Sequence, residues 1–188
     1  MRGTSHVFMN CITAGFIGAT GYLLTNTNCV SFLKEPAIQT GNFLLHDPSI
    51  PFVIHVGLSI FLYILGSLLP DIDHPYSAIG KIIHIPIAHR TWLHAIYIPV
   101  GLFIGGIWIR CLFWLGLGYF FHLFWDSFSA SGINWFYPKK NKHHILKLYH
   151  TSELSEGIFV GIFLMLFVVY LIFVILQVVN REDAMIMI

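Results

Sequence analysis

Long apolar stretches occupy most of this 188-residue chain, and they determine the solvent in which it can fold. A membrane-spanning helix needs about 20 mostly apolar residues. Four tracts are apolar enough, at approximately residues 7–24, 52–69, 93–125 and 158–179. The third tract is too long for one crossing at about 1.5 Å per residue, and Gly105-Gly106 near its middle predicts a turn between two short spans. We therefore predict about five transmembrane helices.

Charged residues are scarce in this chain. Asp, Glu, Lys and Arg make up 10% of the residues, whereas 56% are apolar. An ordinary soluble domain carries about 25% charged residues, so this chain cannot cover a surface that faces water. Its net charge of +1 is too small to collect polyanions. The composition excludes a soluble enzyme, a disordered tail and a nucleic-acid binder, and it predicts one all-α integral membrane domain over residues 1–188, built as a helix bundle.

The distribution of cations predicts the orientation in the membrane. Five spans would place the termini on opposite sides, with seven cations on the side of the N-terminus and three on the other. The seven are Arg2, Lys81, Arg90, Lys139, Lys140, Lys142 and Lys147, and the three are Lys34, Arg110 and Arg181. By the positive-inside rule, the N-terminus is cytoplasmic and the C-terminus lies outside.

Histidine is unusually frequent, with 11 residues against 10 Lys plus Arg. Many of these histidines, together with acidic residues, fall at span ends that share one predicted membrane face. That face collects His6, Asp71, Asp73, His74, His89, Arg90, His94, His122, Asp126, Glu153 and Glu156. Polar groups placed at random would divide between both faces, and ionisable groups at membrane depth are usually paired or functional. We therefore predict a shared metal site at this face, on the cytoplasmic side.

The spacing of these residues suits metal binding. His122 and Asp126 are four residues apart and lie on one helix face. His89 and His94 reach a common site only if a helix begins between them, which Pro86 permits. Imidazole and carboxylate ligands without thiolate suit zinc, or manganese as the alternative, in an open hydrolytic site. Two or three ions are compatible with nine candidate ligands, namely His6, Asp71, Asp73, His74, His89, His94, His122, Asp126 and Glu156.

At these residues the chain resembles the bacterial membrane-bound metal-dependent hydrolases of the YdjM type. The matching features are Ser5-His6, the run Leu68 to Ser77 with its Pro-Asp-x-Asp-His-Pro element, His89-Arg90 with His94, Gly118 through His122 to Asp126, Gly132, Pro138, and Thr151-Ser152 with Glu156. The chain departs from the family pattern around His94, where Thr91, Leu93 and Ala95 replace the Gly and hydroxyl residues of the family. It also has Ser152-Glu153 where Gly-Ser is expected, so Glu153 and Glu156 compete for one ligand role.

More remotely, His6, Asp71, His122, Asp126 and Glu156 are similar to the pattern of zinc-dependent phospholipases C and S1/P1-type nucleases. The resemblances imply a bacterial cytoplasmic membrane protein that acts on a phosphoester, with membrane lipid headgroups as the natural substrates.

We therefore predict a membrane-embedded hydrolase in which a metal-activated water attacks an ester or phosphodiester. Asp71 would be a bridging ligand or general base, Asp73 a further ligand or the partner of one, and Arg90 a clamp for the phosphate. The main alternative is a metal-ion transporter or sensor that uses the same residues. A transporter, however, is expected to have ionisable groups near the midplane of the membrane. A scaffold with a merely hydrogen-bonded polar cluster is the third possibility.

Overall fold

The computed structural model describes residues 3–26, 33–45, 50–83, 85–139 and 145–186. These residues form six α-helices and two short 3₁₀ turns. The helices are α1 (Gly3–Asn26), α2 (Lys34–Leu45), α3 (Phe52–Leu68), α4 (Tyr97–Gly105), α5 (Arg110–Asp126) and α6 (Leu154–Ile186), and the turns are Leu69–Asp73 and Trp92–His94. The described residues contain no β-strand beyond an isolated bridge between Ser129 and Tyr149. The predicted all-α architecture is confirmed.

Among the described residues, three helical segments are long and apolar enough to cross a membrane: Thr4–Asn26, Phe52–Asp73 and Leu154–Val179. The long apolar tract turns where the paired glycines predict, since α4 ends at Gly105 and α5 begins at Arg110. With nine and 17 residues, α4 and α5 are about 14 and 25 Å long, shorter than the hydrocarbon core of about 30 Å. The described part of the chain therefore has three full-length candidate spans and a shorter hairpin, and the count of five remains a prediction.

Helices α3 and α5 run parallel and contact each other along their length. Near their N-terminal ends, Cys111 Sγ lies 3.9 Å from His55 Nδ1. Near their C-terminal ends, His122 Nδ1 lies 2.7 Å from the Ser67 carbonyl oxygen. This pairing brings the C-terminal ends of both helices to the same end of the bundle.

Two glycines allow the close approach of α3 and α5. A Cβ atom on Gly66 would lie 2.2 Å from the Leu115 carbonyl oxygen, and one on Gly118 would lie 2.0 Å from the Tyr63 carbonyl oxygen. Both distances are far below van der Waals contact. The two backbones can therefore meet only because these positions lack a side chain, as is common at helix contacts in membranes.

The buried face of α3 is polar, although the helix is otherwise apolar. His55, Ser59, Tyr63 and Ser67 follow one another at intervals of four residues, and all are buried. The Tyr63 hydroxyl donates to the carbonyl oxygen of Asn10 in α1, at 2.7 Å. Apolar side chains of α3 instead point outward, as expected for a helix that faces lipid.

Helices α1 and α6 are also parallel. The rings of Phe16 and Phe167 lie 5.0 Å apart, and one turn further along, the hydroxyls of Thr20 and Tyr170 lie 2.7 Å apart. Most of the apolar length of α6 is exposed, which fits a helix that packs on α1 with one side and faces lipid with the other.

Helix α1 is antiparallel to α5. The His6 ring stacks on the His122 ring, and the Asn10 amide donates to the Gly118 carbonyl oxygen at 3.0 Å. The N-terminal end of α1 therefore meets the C-terminal ends of α3 and α5. The opposite end of the bundle carries α2, a helix that the hydropathy pattern does not predict and whose Phe43 ring lies 5.0 Å from the Arg110 guanidinium.

Candidate metal centre

Among the described residues, two groups of side chains at one end of the bundle each offer three donor atoms that lie within 4.8 Å of one another. The first group, from α1 and α5, consists of His6, His122 and Asp126. The second group, from the turn after α3 and the segment before α4, consists of Asp71, His89 and His94. All of these residues are buried except His89, whose side chain is 33% exposed. The structure thus brings together six of the nine predicted ligands.

Four donor atoms, two from each group, face one another as histidine–carboxylate pairs. His122 Nε2 lies 3.5 Å from Asp71 Oδ1 and 3.9 Å from Asp126 Oδ2. His94 Nε2 lies 3.8 Å from each of the same two oxygens. These distances are too long for hydrogen bonds, but they are close to the separation of about 3.4 Å between two ligands that each lie about 2.1 Å from one tetrahedral zinc ion. The donor types and their spacing therefore fit a divalent metal.

Asp126 is placed between histidines on different helices. Its Oδ1 lies 3.3 Å from His6 Nε2, whereas its Oδ2 faces His94 and His122. The His6 and His122 rings stack with their centroids 3.7 Å apart. A carboxylate with each oxygen on a different histidine can bridge two ions, so the geometry offers Asp126 for the bridging role beside Asp71.

Several buried ring nitrogens have no hydrogen-bond partner among the described residues. They are both nitrogens of His6, both nitrogens of His94, and Nε2 of His122. Leaving such an atom unpaired costs about 1–3 kcal/mol. Burial lowers the pKa of the His94 imidazole, which favours the neutral ring that offers a lone pair. Metal ligation would satisfy one nitrogen of each ring.

Backbone and hydroxyl contacts hold the ligands in place. His122 Nδ1–H donates to the Ser67 carbonyl oxygen at 2.7 Å, which leaves Nε2 as the acceptor that faces the carboxylates. The Ser77 hydroxyl donates to the Asp71 carbonyl oxygen at 2.7 Å and accepts the Gly80 amide at 2.9 Å. The sequence analysis did not identify Ser67, although its place in the four-residue polar repeat of α3 is a usable signal.

Asp73 faces two histidines. Its Oδ1 lies 2.7 Å from His89 Nδ1 and its Oδ2 lies 3.9 Å from His94 Nδ1, a position that suits the predicted role as partner of a ligand. His74 belongs to neither group within the described ranges. Its Nδ1 accepts the Tyr76 amide at 3.3 Å, and its ring packs 5.0 Å from the His89 ring.

Arg90 holds its guanidinium against the metal-binding groups. Its NH2 lies 3.2 Å from Asp126 Oδ2, and its NH1 donates to Ser129 Oγ at 3.2 Å and to the Gly132 carbonyl oxygen at 3.0 Å. The Arg90 backbone has a φ of 62°, a conformation uncommon for residues other than glycine. Arg90 therefore balances the charge of Asp126, and its predicted role as a phosphate clamp stays a prediction.

Burial distinguishes the two glutamates at the start of α6. Glu156 is buried and its Oε2 accepts the Ser152 amide at 2.7 Å, whereas Glu153 is exposed. Ser152 itself has a φ of 68°. Glu156 thus orders the entry into α6, although it belongs to neither donor group found in the described part of the chain.

A cleft of about 410 Å³ opens beside the donor groups. Its wall combines predicted ligands, basic side chains and hydroxyl groups, including Asp71, His89, Lys81, Arg90, Thr151 and Ser152. The cleft therefore places Asp71 of the candidate metal site beside the basic side chains of Lys81 and Arg90, a combination that suits an anionic substrate.

A family model described as YdjM inner membrane protein matches residues 37–184 of the chain. The matched region contains five of the six residues in the two donor groups, and His6 precedes it. No curated protein and no solved structure matches the chain.

Proposed function

The chain belongs to the YdjM inner membrane protein family, and we propose that it is a metal-dependent hydrolase whose site lies at one end of its membrane-spanning helices. The proposal depends mainly on one observation. His94, His122, Asp71 and Asp126 direct four donor atoms at one another across 3.5–3.9 Å at buried positions, where Arg90 pairs with Asp126 and a bound cation would balance Asp71 as well.

Zinc suits this donor set best, with manganese as the alternative. His94, His122, Asp71 and Asp126 would hold one ion, and His6 with the second oxygen of Asp126 would contribute to another. When bound, the metal would supply Lewis acidity that makes water nucleophilic at neutral pH and polarises the ester.

The surrounding residues would orient the reactants and balance charge. Asp71 lines the cleft, and the carboxylate oxygen that does not hold the first ion would either accept the proton of an attacking water as general base or bridge to a second ion. Arg90 and Lys81, also in the cleft wall, would stabilise the negative charge that develops as an ester or phosphodiester is attacked. His89 would be oriented by Asp73 at 2.7 Å.

The test is metal content together with turnover in full-length protein. We expect zinc or manganese in purified wild type by elemental mass spectrometry, and hydrolysis of bis(p-nitrophenyl) phosphate. His122→Asn should lose both, whereas His55→Asn, a change of another buried histidine at the far end of the α3–α5 pair, should retain both. Full metal content and activity in His122→Asn would contradict the proposal.

We also propose five crossings, with α4 and α5 as two of them and the site on the cytoplasmic side. Lys81 and Arg90 lie in the cleft wall at the site end, in accord with the positive-inside rule. Of the other cations predicted for that side, Arg2, Lys140 and Lys142 lie outside the described residues. A reporter fused after Ile188 should read as external, and a cytoplasmic signal would contradict this topology.

One observation favours the alternative of metal transport. The polar face of α3 extends from Ser67, beside the site, through Tyr63 and Ser59 to His55 near the opposite end. A transporter would be favoured if the wild type takes up zinc into proteoliposomes without hydrolysing phosphodiesters, and if Ser59→Ala abolishes the uptake. Hydrolysis without uptake would favour the enzyme.

A further inference from the structure

The segment between α3 and α4 forms much of the cleft wall. Residues 75–83 and 85–92, here called the rim segment, contribute Tyr76, Ser77, Lys81, His89 and Arg90 to the lining. The rim segment begins two residues after Asp73, where the apolar span Phe52–Asp73 ends. With this candidate span in the membrane, the first residues of the rim segment lie close to the membrane surface, because two residues reach at most about 7 Å.

The rim segment exposes large apolar side chains. Tyr76 is 81% exposed, Ile82 82%, Ile83 59% and Trp92 52%. Such surface is unfavourable in water and favourable in contact with lipid. Tyrosine and tryptophan are also the side chains that concentrate at the boundary between lipid and water.

Basic groups accompany this apolar surface. Lys81 is exposed and directly precedes Ile82 and Ile83, and His89 and Arg90 lie in the same cleft wall. A cation beside inserted apolar side chains is the combination that attracts an anionic phospholipid headgroup. A freely soluble phosphate would need the cations but not the apolar residues.

We propose that the rim segment lies in the headgroup layer, with Tyr76, Ile82 and Ile83 in contact with lipid, so that an anionic phospholipid enters the cleft from the membrane and Lys81 contacts its phosphate. The membrane contact stands on its own, whereas the identification of this lipid as the substrate rests on the proposed hydrolase function. The cleft thereby selects a substrate class, the phosphoesters of membrane lipids.

The depth of the rim segment is measured with a fluorescent label. The full-length protein carries Cys11→Ser and Cys29→Ser and is held in nanodiscs that contain phosphatidylglycerol. A fluorescent label is attached at Ile82→Cys, and its quenching by brominated lipid is compared with its quenching by aqueous iodide. Leu166→Cys, exposed near the middle of the α6 span, gives the lipid reference, and Glu153→Cys, an exposed polar position, gives the aqueous reference. We expect the Ile82 label to be quenched by brominated lipid more strongly than the Glu153 label.

Three results would overturn the membrane contact. Quenching of the Ile82 label by iodide alone would place the rim segment in water. Protection from both quenchers in a protein dimer would assign the surface to a second copy of the chain, and protection in a monomer would show that the side chain is packed internally.

The headgroup contact is measured by native mass spectrometry, as the dissociation constant of dioleoylphosphatidylglycerol. Lys81→Gln should weaken binding by about fivefold, the effect of one cation near an anionic lipid. The matched control is Lys147→Gln, an exposed lysine outside the cleft lining, which should leave binding unchanged. Equal effects of both variants, or displacement of the lipid by an equal concentration of inorganic phosphate, would overturn the proposed headgroup contact.

Neither measurement depends on turnover. Lipid contact and selective weakening by Lys81→Gln in a protein without bound metal would support the rim segment's role while refuting the hydrolase. A metal-loaded, active protein whose Ile82 label is quenched only by iodide would refute this inference and leave the hydrolase intact.

Discussion

Gly118→Ala tests whether the close contact between α3 and α5 builds the metal centre. The new Cβ would lie 2.0 Å from the Tyr63 carbonyl oxygen, 2.9 Å from the Tyr63 carbonyl carbon and 3.1 Å from the Ser67 amide nitrogen. All three neighbours are backbone atoms, which cannot rotate away as a side chain would. The helices must therefore separate by roughly 1.5 Å to restore van der Waals contact.

The expected cost follows from two opposing effects. Overpacking a helix contact costs about 1–3 kcal/mol, whereas replacing a helical glycine by alanine returns about 0.5–1 kcal/mol. We expect a net loss of about 1–2 kcal/mol in the free energy of unfolding. Separation of the helices also lengthens the 2.7 Å bond from His122 to the Ser67 carbonyl oxygen, and loss of such an orienting partner lowers metal affinity about 10- to 100-fold.

The assay compares Gly118→Ala with Gly57→Ala in detergent. Gly57 is also in an apolar helix, but a Cβ there meets no atom within 4 Å, so that variant should be as stable as wild type or up to about 1 kcal/mol more stable. Unfolding is followed by denaturant titration, and zinc affinity by competition with a chromophoric chelator. Unchanged stability and zinc affinity in Gly118→Ala would refute the proposed role of this contact.

Three further results are expected. Asp73→Asn should lower zinc affinity about 10- to 100-fold in the same competition assay because the Asp73–His89 contact orients a ligand, and unchanged affinity would argue against that role. Glu156→Gln should reduce the free energy of unfolding by about 1 kcal/mol because the Ser152 amide loses a charged acceptor, whereas exposed Glu153→Gln should change it by less than about 0.5 kcal/mol; equal effects would remove the distinction between the glutamates. EDTA should lower the melting temperature of wild type, since zinc at 100 times its Kd stabilises by about 2.7 kcal/mol, and it should leave His122→Asn unaffected; a chelator effect of the same size in that variant would place the ion elsewhere.

Local patterns allowed much of the helical framework to be predicted. The tract at 52–69 corresponds to α3, and the tract at 158–179 lies within α6. The paired glycines mark the end of α4, and the i, i+4 spacing of His122 and Asp126 puts their facing atoms 3.9 Å apart. These predictions succeed because each depends on helical geometry over a few neighbouring residues.

Other parts of the site depend on contacts that no local pattern contains. The Ser67 carbonyl oxygen orients His122, and a backbone carbonyl has the same chemistry at every residue. Arg90 pairs with Asp126 across 36 positions in the chain, and α2 has too little apolar sequence to be identified as a span. Burial, which distinguishes Glu156 from Glu153, likewise arises only when α6 packs against its neighbours.

By itself, the sequence determined that this chain folds in a membrane, because so few charged residues cannot cover a surface that faces water. It also determined that the chain forms helices with histidines and carboxylates at their ends, because the apolar tracts have the length of membrane-spanning helices. Only the tertiary structure decided which of those residues meet. The parallel pairing of α3 and α5, made possible where Gly66 and Gly118 carry no side chain, sets Asp71 against His122 at 3.5 Å. That distance is a property of helix packing, since the two residues lie far apart in the chain and no spacing rule connects them.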